Sequence, residues 1–304
     1  MSRTTYDRVS DAYRAGRSAP DATVAEQREA FARLVGPAPS DVTATAGGLG
    51  GRPAIRLSPT EGADAGALLY LHGGGYVVGS ARTGAPIAAA LARRTGTTAW
   101  SLDYGLAPEH RFPQPVDDAL AAYRELLDAV GPERLLIAGD SAGGGLAIAT
   151  LVAGRAHGLP MPAAVAVFSP WADLTLSGAS IVEREGDDPL FTFDDLRRYA
   201  DHVLPETDPA GAAASPLASP VFADLRGLPP LLVQVGSREL LLDDALRLAA
   251  NAARADVDVV LEVAARAPHN IQLLVGSLEE ADRALERAGD FLAARLPATA
   301  DALR

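Results

Sequence analysis

The segment Gly139-Asp140-Ser141-Ala142-Gly143 sets a serine between small residues in the pattern G-x-S-x-G. A serine hydroxyl attacks a carbonyl well only when an adjacent base takes its proton and donors hold the oxyanion that forms. The pattern suits that chemistry at a sharp turn from strand to helix. There, glycines two residues to either side let neighbouring backbone approach, and the free N–H groups of the new helix point at developing negative charge. The flanks fit: Leu135–Ala138 reads as a short buried strand, and Gly143–Val152 as a helix of small residues.

A second glycine-rich segment, His72-Gly73-Gly74-Gly75-Tyr76, follows the apolar run Ala67–Leu71. Consecutive glycines at a strand end leave peptide N–H groups unhindered. Gly73 and Gly74 are therefore expected to share an oxyanion with Ala142, each donor being worth on the order of 10²–10³ in rate. A phosphate-binding loop is not indicated, because no Lys-Ser/Thr pair follows at the required spacing. His72 is expected to hold the loop by hydrogen bonding rather than to act as a base.

Five histidines could serve the serine: His72, His110, His157, His202 and His269. In proteins built on this kind of elbow the acid, then the histidine, follow the serine along the chain. His157 sits beside Gly158 and Pro160, where it caps a helix end; His202 lies in a polar insertion, and His110 precedes the serine. His269, in a loop after the last strand candidate, is the expected base. The acid should follow the strand Leu231–Val235, where Glu239, Asp243 and Asp244 are available. Glu239 is nearest the strand end and is the expected partner. Asp243 and Asp244 read as ordinary negative charge at a helix N-terminus.

These residues need a scaffold, and the chain supplies one. From about residue 67, apolar runs (Ala67–Leu71, Thr98–Leu102, Leu135–Ala138, Ala163–Phe168, Leu231–Val235, Val257–Val263) alternate with amphipathic stretches such as Pro115–Val130, Ala245–Ala255 and Glu279–Leu296. Strands apolar on both faces and a repeating strand–helix order imply an α/β fold with a mostly parallel central sheet flanked by helices. Two regions interrupt the order. Residues 1–38 hold two helices ahead of any strand, and residues 178–216 form a polar, Asp- and Pro-rich insertion with a helix candidate at Phe193–Leu204. Both are expected to form a helical cap over the site, leaving core segments at 39–177 and 217–304.

The chain of 304 residues carries 27 Arg and no Lys against 39 acids, a net charge of −12, with 48% hydrophobic residues and no cysteine. That field disfavours nucleic acid and anionic lipid as partners. Disulfides and thiol chemistry are excluded. The charged start of the chain does not read as a secretory signal, and no apolar run approaches the ~18 residues that span a bilayer. A cytoplasmic location without stable membrane insertion is the expectation.

Taken together, His72–Gly75, Asp103-Tyr104-Gly105-Leu106-Ala107-Pro108-Glu109, Gly139–Gly144 and Ser169-Pro170-Trp171-Ala172-Asp173-Leu174 resemble the hormone-sensitive-lipase-like family of bacterial esterases, of the α/β-hydrolase superfamily. The resemblance covers about residues 65–275. It implies a capped α/β-hydrolase fold acting on short to medium acyl esters without cofactor or metal. Ser141, Glu239 and His269 fall at its catalytic positions, and Gly73, Gly74 and Ala142 at its oxyanion positions. Gly105 departs from the family's usual Arg, and Glu239 from its commoner Asp; Trp171 is either core or pocket wall. The expected substrate is a small-molecule ester. An acyltransferase or amidase could use the same residues, and a non-catalytic receptor on this fold is disfavoured because His269 is present. Val257–Val263, as the last strand, would offer an edge for a homodimer.

Overall fold

A computed structural model describes residues 1–19, 21–60, 63 and 65–298. The final residues of the last core segment, 299–304, lie outside the described residues. Its elements in chain order are helices α1 (Arg3–Gly16) and α2 (Val24–Leu34), then strands β1 (Val42–Leu49), β2 (Arg52–Pro59) and β3 (Ala67–Leu71). Next come α3 (Ala81–Thr95), β4 (Thr98–Leu102), α4 (Gln114–Val130), β5 (Leu135–Asp140), α5 (Ala142–Ala156) and β6 (Ala164–Phe168). The insertion carries α6 (Ser180–Glu183), α7 (Phe193–Val203) and α8 (Pro209–Ala213), and the chain continues through β7 (Leu231–Gly236), α9 (Leu242–Arg254), β8 (Val259–Ala264) and α10 (Glu279–Ala293).

The strands form one sheet in the order β1-β2-β4-β3-β5-β6-β7-β8. Every pair from β4 through β8 is parallel, and β1–β2 and β2–β4 are antiparallel. The central strands β3, β5, β6 and β7 are buried at every position, as strands covered by helices on both faces must be. Two apolar clusters lie on opposite faces of the sheet. One joins Leu69, Leu71, Ile137 and Val167 to α4 and α5; the other joins Leu68, Tyr70, Leu136 and Phe168 to α3 and α10.

The sequence pattern omitted the β1–β2 hairpin. All six interior residues of β1 are exposed, so no apolar alternation marks it. Its signal is instead the Gly50-Gly51 turn, both residues at positive φ (60° and 78°), the backbone a two-residue hairpin loop requires. The insertion has three helices where one was expected, because α6 and α8 are four and five residues long and too short to show a period. β8 is an edge strand with Val260, Leu261 and Val263 partly exposed. Among the described residues, no helix is long and apolar enough to cross a membrane.

Candidate active site

Between β5 and α5 the chain turns at Ser141, whose φ of 53° and ψ of −121° place it outside the regions ordinary residues favour. Such backbone persists only when its surroundings over-determine it. Ser141 donates its N–H to the Phe168 carbonyl at 2.8 Å and accepts the Trp171 N–H at 2.8 Å. The flanking glycines are sterically required: a Cβ on Gly139 would lie 2.3 Å from the Gly143 carbonyl oxygen, and one on Gly143 would lie 2.0 Å from that of Leu71.

The loops after β7 and β8 bring the other two expected residues to this turn. His269 Nε2 lies 3.0 Å from Ser141 Oγ, and His269 Nδ1 lies 2.5 Å from Glu239 Oε2. With the imidazole proton on Nδ1, Nε2 is the acceptor for the serine hydroxyl. The other Glu239 oxygen accepts from Ser169 Oγ at 2.8 Å and from the Gly236 N–H at 2.6 Å. All three side chains are buried. Burial alone would lower the His269 imidazole; the Glu239 charge and hydrogen bond, helped by Asp188 and Asp140, outweigh it and raise the group above 6.5. A hydroxyl, an imidazole and a carboxylate in this order can move a proton off the serine and stabilise the resulting imidazolium.

The glycine loop differs from expectation by one residue. The N–H of Gly73 is donated to Asp140 Oδ1 at 2.9 Å and is not free for an oxyanion. Gly74, Gly75 and Ala142 have N–H groups without a protein acceptor among the described residues. Gly74 and Gly75 both have positive φ (117° and 59°), which a third glycine in the run makes cheap. The free donors beside the elbow are therefore Gly74, Gly75 and Ala142, with Gly73 serving as an anchor.

A family described by the α/β-hydrolase fold matches residues 68–273. An acetyl-hydrolase of Streptomyces hygroscopicus is 46% identical over 226 residues, covering 74% of each chain, and an esterase of Acinetobacter venetianus is 36% identical over 225 residues, covering 74% of this chain and 73% of its own. The crystal structure of an esterase from the bacterial hormone-sensitive lipase family superimposes with a TM-score of 0.91 at 40% identity, over 97% of this chain and 99% of that one. The chain belongs to the bacterial hormone-sensitive-lipase-like family of esterases.

In this family member the support around the site is as specific as the site. Asp140 accepts from Tyr70 Oη (2.5 Å), the Gly73 N–H and Asn270 Nδ2 (2.6 Å), joining the glycine loop to the residue after His269. Its burial raises the carboxyl, and those donors with His72 oppose the rise. His72 Nδ1 bonds the Gly73 carbonyl at 2.7 Å, and its ring stacks on Tyr104 at 4.3 Å. It braces the loop and does not reach the serine. At the Gly105 departure, Arg52 reaches from β2 to the Asp103 carbonyl (3.1 Å) and lies 3.4 Å from Asp118 Oδ2, which accepts the Gly105 N–H. Trp171 is core, 1% exposed.

Asp243 and Asp244 do lie in the first turn of α9, yet neither is simple surface charge. Asp243 accepts the Ser180 N–H at 3.0 Å. Asp244 is fully buried and accepts the N–H groups of Ala172 and Asp173, both at 2.8 Å. Its burial, with the Asp173 charge beside it, raises that carboxyl well above the ordinary range.

Several functional neighbours were not read from the sequence. Ser169 holds Glu239 and also accepts the Asn270 N–H at 3.0 Å; its position in the Ser169-Pro170-Trp171 motif was the available signal. Tyr13 of α1 donates to the Asn270 carbonyl at 3.0 Å, so the N-terminal helix braces the histidine loop directly. From the insertion, Phe191 stands edge-on to the His269 ring at 5.2 Å, and Tyr199 packs so closely on Gly75 that a Cβ there would meet its ring at 2.2 Å. These contacts join partners far apart in the chain, and nothing local announces them. A narrow cleft of about 70 Å³ runs beside them, lined by Phe31, Leu34, Val78, Leu190, Phe191 and Tyr199 among others.

Proposed function

We propose that this chain is a serine carboxylic ester hydrolase for short acyl esters, working through an acyl-enzyme. The observation that carries the reading is the unbroken chain of contacts from Ser141 Oγ to His269 (3.0 Å) to Glu239 (2.5 Å). His269 removes the hydroxyl proton as Oγ attacks the ester carbonyl. The tetrahedral oxyanion is held by the N–H groups of Gly74, Gly75 and Ala142, and protonated His269 gives its proton to the departing alcohol. Water, activated by the same imidazole, then releases the acid. The Glu239 carboxylate keeps the ring in the tautomer this needs and stabilises the imidazolium.

The cleft beside Phe191, between the two N-terminal helices and α7, is lined by Phe31, Leu34 and Tyr199 together with Arg17, Asp195 and Arg198, and is the nearest space for an acyl group. The relative named as an acetyl-hydrolase supports a short acyl group, and the one named as an esterase supports ester hydrolysis. The cap reading of 178–216 is supported by the Phe191 and Tyr199 contacts, and that of 1–38 by Tyr13 on the Asn270 carbonyl. Aryl esters of acyl length two to twelve carbons, assayed with wild type and Ser141→Ala, test the proposal. We expect kcat/KM to be highest at the short end and abolished in the variant. Preference for the longest chains would overturn the substrate range. A folded, fully active Ser141→Ala protein would overturn the mechanism.

A further inference from the structure

Asp188 lies in the insertion between α6 and α7 and is 5% exposed. A buried carboxylate outside the proton relay needs a reason, since burial without partners is costly. Its partners are three backbone N–H groups. Oδ1 accepts from Leu190 (2.9 Å) and Phe191 (3.3 Å), and Oδ2 accepts from Leu240 (3.1 Å). Leu240 directly follows Glu239, and its carbonyl accepts Ser180 Oγ at 2.6 Å. Both backbone groups of the residue after the acid are thus held by the insertion. Phe191, bound to the same carboxylate, is the residue whose ring stands against His269.

Resting on the relay reading above, we propose that Asp188 is a positioning residue for ester hydrolysis: a carboxylate supplied by the cap that orients the Glu239 turn and places a second negative charge behind His269. The cap is then part of the scaffold of the base as well as a cover for the substrate. Three N–H donors favour the ionised carboxylate, and an anion near the imidazole favours the imidazolium that acylation creates. Asp188 faces His269 and Glu239, and Tyr13 from α1. His269 in turn faces Glu239 from the β7–α9 turn, Asp188 from the insertion and Asp140 from the end of β5. Burial raises the Asp188 carboxyl to about 6, a rise His269 opposes and Glu239 reinforces. The charge is therefore present at neutral pH and above.

The test measures kcat/KM against pH for a short aryl ester with wild type, Asp188→Asn and Ser180→Ala. Active sites are counted by stoichiometric labelling of Ser141 with a neutral organophosphate. Asp188→Asn should lose on the order of tenfold at pH 8, less than the about hundredfold that a 1 Å misplacement costs. Its acid limb should also move to lower pH, because the imidazolium has lost an anion. Ser180→Ala removes the other tie to Leu240 without removing charge; it should lose rate and keep the wild-type limb. Asp188→Ser, a second uncharged variant, must move the limb in the same direction, so the prediction survives poor folding of the Asn protein. Labelled, folded, uncharged variants with an unmoved limb would overturn this proposal alone. Failure of Ser141 to label in wild type would overturn the relay reading and the proposal with it.

Discussion

Ser141 and His269 are both buried and lie within hydrogen-bonding distance of each other, but they are held in place in opposite ways. The serine is set mainly by its own stretch of chain: β5 leads in, α5 leads out, the glycines at 139 and 143 let the adjacent strand ends close on the turn, and the backbone of Phe168 and Trp171 at the next strand end pins it. His269 and Glu239 stand on two loops with little regular structure. Segments from elsewhere fix those loops: Ser169 after β6, Tyr13 from α1, Asp188 and Ser180 from the insertion. The serine is thus mainly a local structure, and the setting of the histidine is an assembly. A local structure should tolerate changes in distant segments; an assembled one should register them.

The largest expected effect lies within the assembly. Glu239→Gln keeps the shape of the side chain but permits the wrong imidazole tautomer, and kcat should fall about 10⁴-fold with the fold intact by circular dichroism. A loss of less than tenfold would mean that another group orients His269. At the local end, Gly75→Ala demands a positive φ of 59° from alanine and drives a Cβ into the Tyr199 ring. Turnover should fall on the order of 10²–10³, the value of one oxyanion donor. Alanine keeps the N–H, so the loss comes from misplacing it; Gly75→Ala paired with Tyr199→Ala separates the clash from the φ strain, because only the clash is relieved in the double variant.

The pH profile comes next in size. Glu239, Asp188 and Asp140 raise His269, so the base must lose a proton above the ordinary histidine value before it can act. kcat/KM should rise with pH through a limb whose midpoint is above 6.5, falling about tenfold per unit below it. A midpoint below 6.5 would show burial to be the stronger influence. Tyr13→Phe leaves the buried Asn270 carbonyl without its donor from α1. It should cost about 1–3 kcal/mol of stability in urea unfolding and lower kcat several-fold, whereas a bystander helix would leave kcat unchanged. Smallest is Asp243→Asn, which weakens one tie to Ser180 and should cost less than about 1 kcal/mol with kcat near wild type.

The same contrast explains what the sequence could convey. The elbow, its strand and its helix are contiguous, so residue types alone marked Ser141; chain order then led to His269 and Glu239, and the structure brings all three together. Three successive glycines carry no side chain to say which N–H is free, and that choice is made by Asp140, 67 positions away. Asp188 and Phe191 reach the site from the insertion and Tyr13 from α1, where no spacing rule operates. The parallel strands were legible because burial on both faces leaves a continuous apolar run; the exposed β1 strand leaves none.

The central claim, that Ser141 is the nucleophile of an acyl-enzyme, is tested most directly by trapping it. The protein is mixed with a slowly turned-over aryl ester, quenched in acid within the burst, and mapped by peptide mass spectrometry. The expected result is one acyl group per chain on the peptide holding Ser141, formed at the burst rate and absent from Ser141→Ala. An acyl group on another residue, or steady hydrolysis by Ser141→Ala with no adduct, would contradict it.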